Sequence, residues 1–237
     1  EGLINPEMHG EVLTLYLDKP AIDVYVGNDS MAKSKAIVPF ISQTVKESIQ
    51  AMLEEMNKNE IVIAESTDTD SYFSFRLVTD PEKDLPIMTT LIHGLAENVQ
   101  EPDAVELSST EYIIDGLANP DPLFYCIVVD QIDGENRRPC GYAFFYFGYE
   151  AGNGRFLYLE DLFFEPEFRG NGGGKKLMKV LSMVCQSTQC NHLYWQALDW
   201  NTRGLKFYSS IGATILDGVK TSRYCDAELK AFATEDI

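Results

Sequence analysis

The hydrophobic pattern changes period repeatedly along the chain. Val12, Leu13, Leu15 and Leu17, then Ile22, Val24 and Val26 on the far side of Lys19-Pro20, predict two short strands joined by a turn. Ile37, Phe40, Ile41, Val45, Ile49, Met52, Leu53 and Met56 recur at spacings of three and four and predict a helix. Ile61 to Ala64 reads as a strand that would close a small strand-strand-helix-strand unit. Six small polar residues follow, Ser66-Thr67-Asp68-Thr69-Asp70-Ser71, and read as a loop. That seam divides an N-terminal extension, residues 1–71, from a larger domain over 72–237.

Beyond the seam, strand and helix patterns alternate. Phe73 to Val78 predicts a strand, and Pro86 to Asn98 a helix with Leu85, Met88, Leu91, Ile92 and Leu95 on one face. Ser108-Ser109-Thr110-Glu111 is a capping box opening a short helix through Leu117. Strands are expected at Phe124 to Val129, Gly141 to Tyr149 and Phe156 to Phe164. A helix from Gly173 to Thr188 carries Leu177, Val180, Leu181 and Val184 at helical spacing. A strand from Leu193 to Leu198, a helix from Asn201 to Ile211 closed by Gly212 at C′, and more strand from Ala213 onward complete the pattern. Such alternation predicts an α/β fold, a mixed sheet flanked by helices.

Charge changes the picture. With 37 acidic and 19 basic side chains the net charge is −18, which argues against a nucleic-acid partner and toward a cationic one. Residues 84–136 contain 11 acids and no Lys or Arg, whereas Arg169, Lys175, Lys176 and Lys179 form a basic island. The longest apolar run, Leu123 to Val129, is too short to cross a bilayer, and no leader pattern opens the chain at Glu1. Five cysteines without a Cys-x-x-Cys fit reduced thiols in a cytosolic or nuclear setting, of which the cytoplasmic one is expected, and three scattered histidines give no metal-ligand spacing, so no metal is expected.

The sharpest local signal is Arg169-Gly170-Asn171-Gly172-Gly173-Gly174-Lys175, set between an apolar strand and an amphipathic helix. Glycines there let backbone N–H groups approach an anion, and the helix's positive end adds favourable field. A flexible connector is the plainer alternative. The string is neither a Walker loop, since Lys176 stands where Ser or Thr is needed, nor a dinucleotide fingerprint. It does match Arg/Gln-x-x-Gly-x-Gly/Ala, with Arg169, Gly172 and Gly174 at the fixed positions. Together with Tyr158-Leu159-Glu160-Asp161-Leu162-Phe163 before it, and Leu198-Asp199-Trp200-Asn201 and Lys206-Phe207-Tyr208 after it, the segment from about Phe73 onward resembles the GCN5-related N-acetyltransferases of diamine-acetyltransferase type. Spermidine/spermine and thialysine enzymes belong to that type.

The resemblance implies a mostly antiparallel central sheet, acetyl-CoA as co-substrate and a homodimer. It implies pyrophosphate contacts from Arg169, Gly170, Asn171, Gly172, Gly173, Gly174 and Lys175, further CoA contacts from Asn201, Arg203 and Tyr208, and an oxyanion donor near Leu162 or Phe163 at a bulge just after Glu160. Tyr208 would protonate the departing sulfur. Glu160 would take the amine's proton through water, with Asp161 beside it; attraction of a cationic substrate by the pair is the alternative. Neighbouring residues on a regular strand face opposite sides, so only one of the two is expected to point into the cleft. Glu101, Asp103 and Glu150 are further candidates for holding the acceptor's ammonium groups, against the reading of a solvated acidic face. The chain departs from the polyamine enzymes at Asn98-Val99, Gly152 and Ser222. Polyamine, thialysine-like amino acid and another small primary amine all stay open, as do a peptide acceptor and a non-catalytic acyl-CoA-binding module.

Overall fold

The computed structural model describes residues 12–15, 22–25, 44–57, 71–216, 218 and 220–234. The strand expected over 61–64 and the polar seam over 66–70 lie outside them. Two compact units emerge, Glu1–Gln196 and Ala197–Ile237.

In the first unit, β1 (Val12–Leu15) pairs antiparallel with β2 (Ile22–Tyr25), Val12 opposite Tyr25 and Leu15 opposite Ile22. Helix α1, over residues 44–57, buries Ile49, Leu53 and Met56, a stripe at helical spacing. Its Asn57 amide donates to the Phe75 carbonyl at 2.8 Å and accepts from the Phe75 N–H at 3.2 Å. Phe75 belongs to β3 (Ser71–Leu77), an edge strand among the described residues, and the Asn57 side chain satisfies its outward backbone groups there.

The main sheet runs β3, β4 (Tyr125–Asp133), β5 (Asn136–Glu150), β6 (Gly154–Phe164) and β7 (His192–Trp195) in spatial order. All its neighbours are antiparallel except β6 and β7. Helix α2 (Pro81–Asn98) buries Leu85, Met88, Leu91 and Ile92 in one cluster with Cys126, Val128, Tyr142 and Phe163. On the opposite face Val129, Phe145, Leu157 and Leu159 are buried, and α4 (Gly173–Ser187), with Leu177, Val180, Leu181 and Val184 fully buried, contacts β6 and β7.

Several boundaries differ from expectation: β4 runs on to Asp133, β5 begins at Asn136 and β7 ends at Trp195. Helix α2 begins at Pro81 rather than Pro86: Asp80 caps it by accepting from the Glu82 and Lys83 N–H groups at 3.0 and 3.3 Å, and Pro81 fits the first turn, where no donor is needed. Pro86 lies within the helix. The capping box does form, and α3 (Ser109–Tyr112) continues as a π-turn over Ile113–Leu117.

In the second unit, α5 (Thr202–Ser210) is followed by Gly212 at φ +88°, with the Ala213 N–H bonded to the Tyr208 carbonyl at 3.0 Å. This is the closure expected of a glycine at C′. The strand expected from Ala213 is not found among the described residues. Ile215 and Leu216 are exposed and make no ladder, because apolar content alone does not supply a pairing partner. Helix α6 (Asp226–Ala233) follows instead, with Tyr224 stacked on Phe232 at 5.2 Å between centroids. No helix among the described residues is long and apolar enough to cross a membrane.

Candidate active site

Strand β6 breaks its own alternation at the acid pair. Tyr142 lies opposite Phe163, Phe144 opposite Asp161, Phe145 opposite Leu159 and Tyr146 opposite Tyr158, so Glu160 has no partner on β5. It is an extra residue, a β-bulge. Because Tyr142, Phe144 and Tyr146 share one face of β5, their partners Phe163, Asp161 and Tyr158 share it too. Glu160 follows Tyr158 by two, and its charge raises the pKa of both Tyr146 and Tyr158 after burial. Both carboxylates therefore belong to one face, where a regular strand would have split them. The bulge sits on Glu160 itself, ahead of the Leu162–Phe163 stretch where it was expected.

The two acids differ in environment. Glu160 is exposed, whereas Asp161 accepts a hydrogen bond from the buried Tyr142 hydroxyl at 2.9 Å. Burial pushes the Asp161 carboxyl up to about 6; the Tyr142 bond opposes the rise and the Glu160 charge adds to it. Burial, Asp161 and its bond keep the Tyr142 phenol protonated far above its usual range, so it remains a donor at any working pH. Tyr112 is likewise raised by burial and then by Asp161. Neither Tyr142 nor Tyr112 carries a local sequence signal of this role, because Asp161 lies far from both along the chain.

Next to the pair the same face carries an aromatic ladder across three strands. Tyr146 stacks on Tyr158 at 5.0 Å and Tyr158 tilts against Tyr194 at 5.5 Å, all three half-buried. Such rings offer π-faces to a cation and apolar area to a methylene chain. Alternating Tyr142, Phe144 and Tyr146 were visible as one side of a strand, but their alignment with Tyr158 and Tyr194 needed the register.

The β6–β7 ladder stops at the same place. Parallel pairing runs only from Phe156–His192 to Leu159–Trp195, while β6 continues to Phe164. From Glu160 onward no described strand pairs with β6 on that side, although Leu162 and Phe163 remain in register with Ala143 and Tyr142 of β5. Backbone donors of this stretch are thus placed to meet something other than a strand.

The glycine loop follows directly. Gly170 and Gly172 adopt φ of +87° and +76°, values that side chains with a Cβ rarely take, and no side chain caps α4 at Gly172. The first-turn N–H groups of any helix lack intrahelical partners, and here they open beside the exposed Asn171 and Lys175. Both features fit an anion of pyrophosphate type. The Arg169 side chain is spent on fastening the loop: Nε donates to the Phe164 carbonyl at 2.7 Å, Nη1 to Asn98 Oδ1 at 3.0 Å, and the guanidinium lies 5.4 Å from the Phe163 ring centre. Asn98 thus has a structural use, as the acceptor for Arg169. Lys176 lies 5.4 Å over Phe73, and burial lowers its pKa.

Other acids are more scattered. Glu101 and Asp103 are exposed in the turn Pro102–Ala104 and its flank, with no side-chain cap bond from Glu101. Glu150 lies at the end of β5, accepting from Asn153 at 2.9 Å and 3.5 Å from His192. Its six-residue separation from Phe144 in an extended strand puts it about 20 Å from the bulge, so the structure does not bring it together with Glu160 and Asp161.

In the second unit, Asn201 Oδ1 accepts from the Gly204 N–H at 2.9 Å as N-cap of α5, Arg203 is exposed, and Tyr208 is half-buried with its pKa raised by burial. Among the described residues no group of His, Cys, Asp and Glu could hold a metal ion.

Comparison with known proteins gives the frame for these features. Over 136 residues the chain is 36% identical to a thialysine N-epsilon-acetyltransferase of Bos taurus, covering 56% of this chain and 79% of that protein. A spermidine/spermine N(1)-acetyltransferase-like protein 1 of Homo sapiens is 33% identical over 159 residues, 65% of this chain and 23% of that protein. Among solved structures, an integron cassette protein from the mobile metagenome of V. cholerae is similar in fold, with a TM-score of 0.55 over 69% of this chain and 98% of that one at 23% identity. Residues 91–213, more than half of the chain, match the model of the Acetyltransferase (GNAT) family, and the chain belongs to that family of N-acetyltransferases.

Proposed function

We propose that the protein transfers acetyl from acetyl-CoA to a primary amine of a small cationic acceptor, of the diamine, polyamine or thialysine-like amino acid class. The observation that carries this reading is the bulge at Glu160, which gathers two carboxylates on one sheet face beside the Tyr146–Tyr158–Tyr194 ladder. Carboxylates and aromatic faces together suit an alkylammonium: charge meets charge, and the methylenes lie on the rings.

Acetyl-CoA, when bound, supplies the activated acetyl thioester. The residues to hold it are the backbone of Gly170 to Lys175 and the unpaired side of β6 from Glu160 onward, whose N–H groups near Leu162 and Phe163 would polarise the carbonyl oxygen. A free alkylamine has a pKa of about 10.4 and must lose a proton before it can attack. Asp161 takes that role in this reading, directly or through water, since a carboxylate near 6 is a better base than an ordinary Asp and is still ionised at neutral pH. Glu160, exposed, attracts the cation. Asn201 and Arg203 are proposed as further contacts to CoA, and Glu101 and Asp103 as outlying attraction for the amine. A homodimer and a cytoplasmic setting rest on the family resemblance and the cysteine usage.

The test is thiol release from acetyl-CoA against thialysine, lysine, putrescine, spermidine, spermine and basic peptides. Release with one or more of the small amines is the expected result. Release with peptides alone would replace the reading with protein acetylation, and acetyl-CoA binding without release from any acceptor would leave a binding module.

Tyr208 is assigned the proton donation to the leaving sulfur. Tyr208→Phe is expected to lower kcat by roughly 10²-fold or more with acetyl-CoA affinity little changed. Unchanged turnover in a steady-state assay would remove Tyr208 from that role.

A further inference from the structure

Helix α4 closes on two cysteines. The Cys190 N–H donates to the Cys185 carbonyl at 2.7 Å and the Gln189 N–H to the Gln186 carbonyl at 3.2 Å, with Gln189 at φ +57°. This bond pair is the Schellman closure, which commonly brings an apolar side chain of the last turn against the residue after the left-handed position. Both residues at that contact are cysteines here, so the closure sets Cys185 and Cys190 against each other.

The two thiols are not equivalent. Cys185 is buried, and Cys190 is half-buried with the Thr188 hydroxyl 3.5 Å from its Sγ. Arg155 of β6 reaches the same corner: its Nη1 donates to the Thr188 carbonyl at 2.9 Å, and its own carbonyl accepts from the Asn191 N–H at 2.8 Å. The neighbouring Cys185 side chain first, then Thr188 and the Arg155 charge, pull the Cys190 thiol below its ordinary value against the effect of burial. Cys126 and Cys140 are instead pushed up by burial and enclosed in the core. A sulfur that is partly accessible, set beside a second thiol by the turn and placed near a hydroxyl and a guanidinium that favour its thiolate combines the properties that make a cysteine oxidisable and its oxidation reversible.

We infer that Cys190 and Cys185 form a peroxide-oxidisable dithiol, with Cys190 as the attacking sulfur and Cys185 as the resolving one. The Cys190 thiolate attacks an oxygen of hydrogen peroxide. The O–O bond breaks, hydroxide leaves and is protonated to water, and Cys190 becomes a sulfenic acid. The Cys185 sulfur then gives up its proton and attacks the Cys190 sulfur, the S–O bond breaks, and a second water leaves. Two thiols lose two electrons and one peroxide gains them. The backbone bond from Cys190 to Cys185 already holds the chain in a closed turn, so the disulfide asks for no new loop closure.

Cleavage after Lys179 and Arg203 leaves both cysteines on one peptide, 180–203. The full chain, desalted from reductant, is treated with one equivalent of hydrogen peroxide at pH 7, alkylated with N-ethylmaleimide and mapped by mass. The expected product is peptide 180–203, two hydrogens lighter and carrying no alkyl group, formed roughly tenfold faster than any oxidation at the exposed Cys225. Cys185→Ser should arrest the reaction at a Cys190 sulfenic acid that dimedone traps, and Cys190→Ser should abolish it. Oxidation of Cys225 while Cys185 and Cys190 remain alkylated would overturn the inference, and so would a disulfide from either one to another cysteine. The wild-type map decides between these outcomes even if a variant fails to fold.

Discussion

Replacing Asp161 with Asn is expected to cut kcat by roughly 10²- to 10⁴-fold, the range that loss of a general base produces, and to make the fold more stable at neutral pH. Asn retains an oxygen to accept the Tyr142 hydroxyl but cannot take a proton. The stability sign follows from the direction of the shift. The Asp161 carboxyl lies near 6 in the fold against an ordinary 3.8, so the folded state favours its protonated form. That contribution is fully present below the ordinary value and is lost as pH rises through about 6. At pH 7 to 8 the ionised group leaves the fold weaker, by about 2 kcal/mol after allowance for its partial exposure. Thermal unfolding should therefore give Asp161→Asn a higher Tm than wild type at pH 7.5, with the gap closing toward pH 4. In the wild type, activity should rise with pH through about 6. Tyr142→Phe, which removes the bond that holds the Asp161 value down, should move that limb upward. An Asp161→Asn enzyme that keeps both its turnover and its acid limb would transfer the base to Glu160.

Stability gained by removing a functional group is the usual mark of a site arranged for chemistry rather than for packing. Asp161 could not be singled out from the sequence, because what distinguishes it is made elsewhere. The bulge that turns it to the same face as Glu160 arises from pairing with β5, and nothing in Leu159-Glu160-Asp161-Leu162 signals an extra residue. Its partner Tyr142 lies nineteen positions earlier. By contrast, the glycines at 170, 172 and 212 were legible because a positive φ demands that residue type locally, and the Ser108–Glu111 box because both its bonds lie within one turn. Core stripes such as Leu177, Val180, Leu181 and Val184 were legible through their period. Asn57 on the edge of β3 and the three-strand tyrosine ladder depend on long-range register and left no local trace. The same limit explains Ala213 to Leu216, whose apolar residues suggested a strand that has no partner among the described residues.

The largest stability loss is expected from Arg76→Leu, about 3 to 5 kcal/mol. Arg76 Nε donates to Asp130 Oδ2 at 2.9 Å and its Nη1 to Asp84 Oδ1, tying β3 to β4 and to the first turn of α2. Asp130 is fully buried; Arg137 approaches it only at 3.6 Å from a mostly exposed position, and its Oδ1 has no hydrogen-bond donor among the described residues. Asp84 keeps the Thr79 and Asp80 N–H groups at 2.9 and 3.0 Å, so the charge left with the poorest compensation is Asp130. Leucine replaces only the apolar stem of the arginine and leaves the place of the guanidinium empty, so the cost combines stranded charge with lost packing. This distinction can be measured. Adding Asp130→Asn to Arg76→Leu should recover a substantial part of the lost stability, although a second substitution in a buried cluster would ordinarily add damage. At about 2 to 4 °C per kcal/mol for a chain of this size, the single variant should melt roughly 10 °C lower. Because Asp84 opens α2, whose Met88, Leu91 and Ile92 pack with Tyr142 and Phe163, loosening that end should also reduce acetyl transfer while both acids remain in place. An unchanged Tm would mean that solvent reaching the half-buried guanidinium already screens the cluster, and a double variant less stable than Arg76→Leu would assign the loss to packing instead.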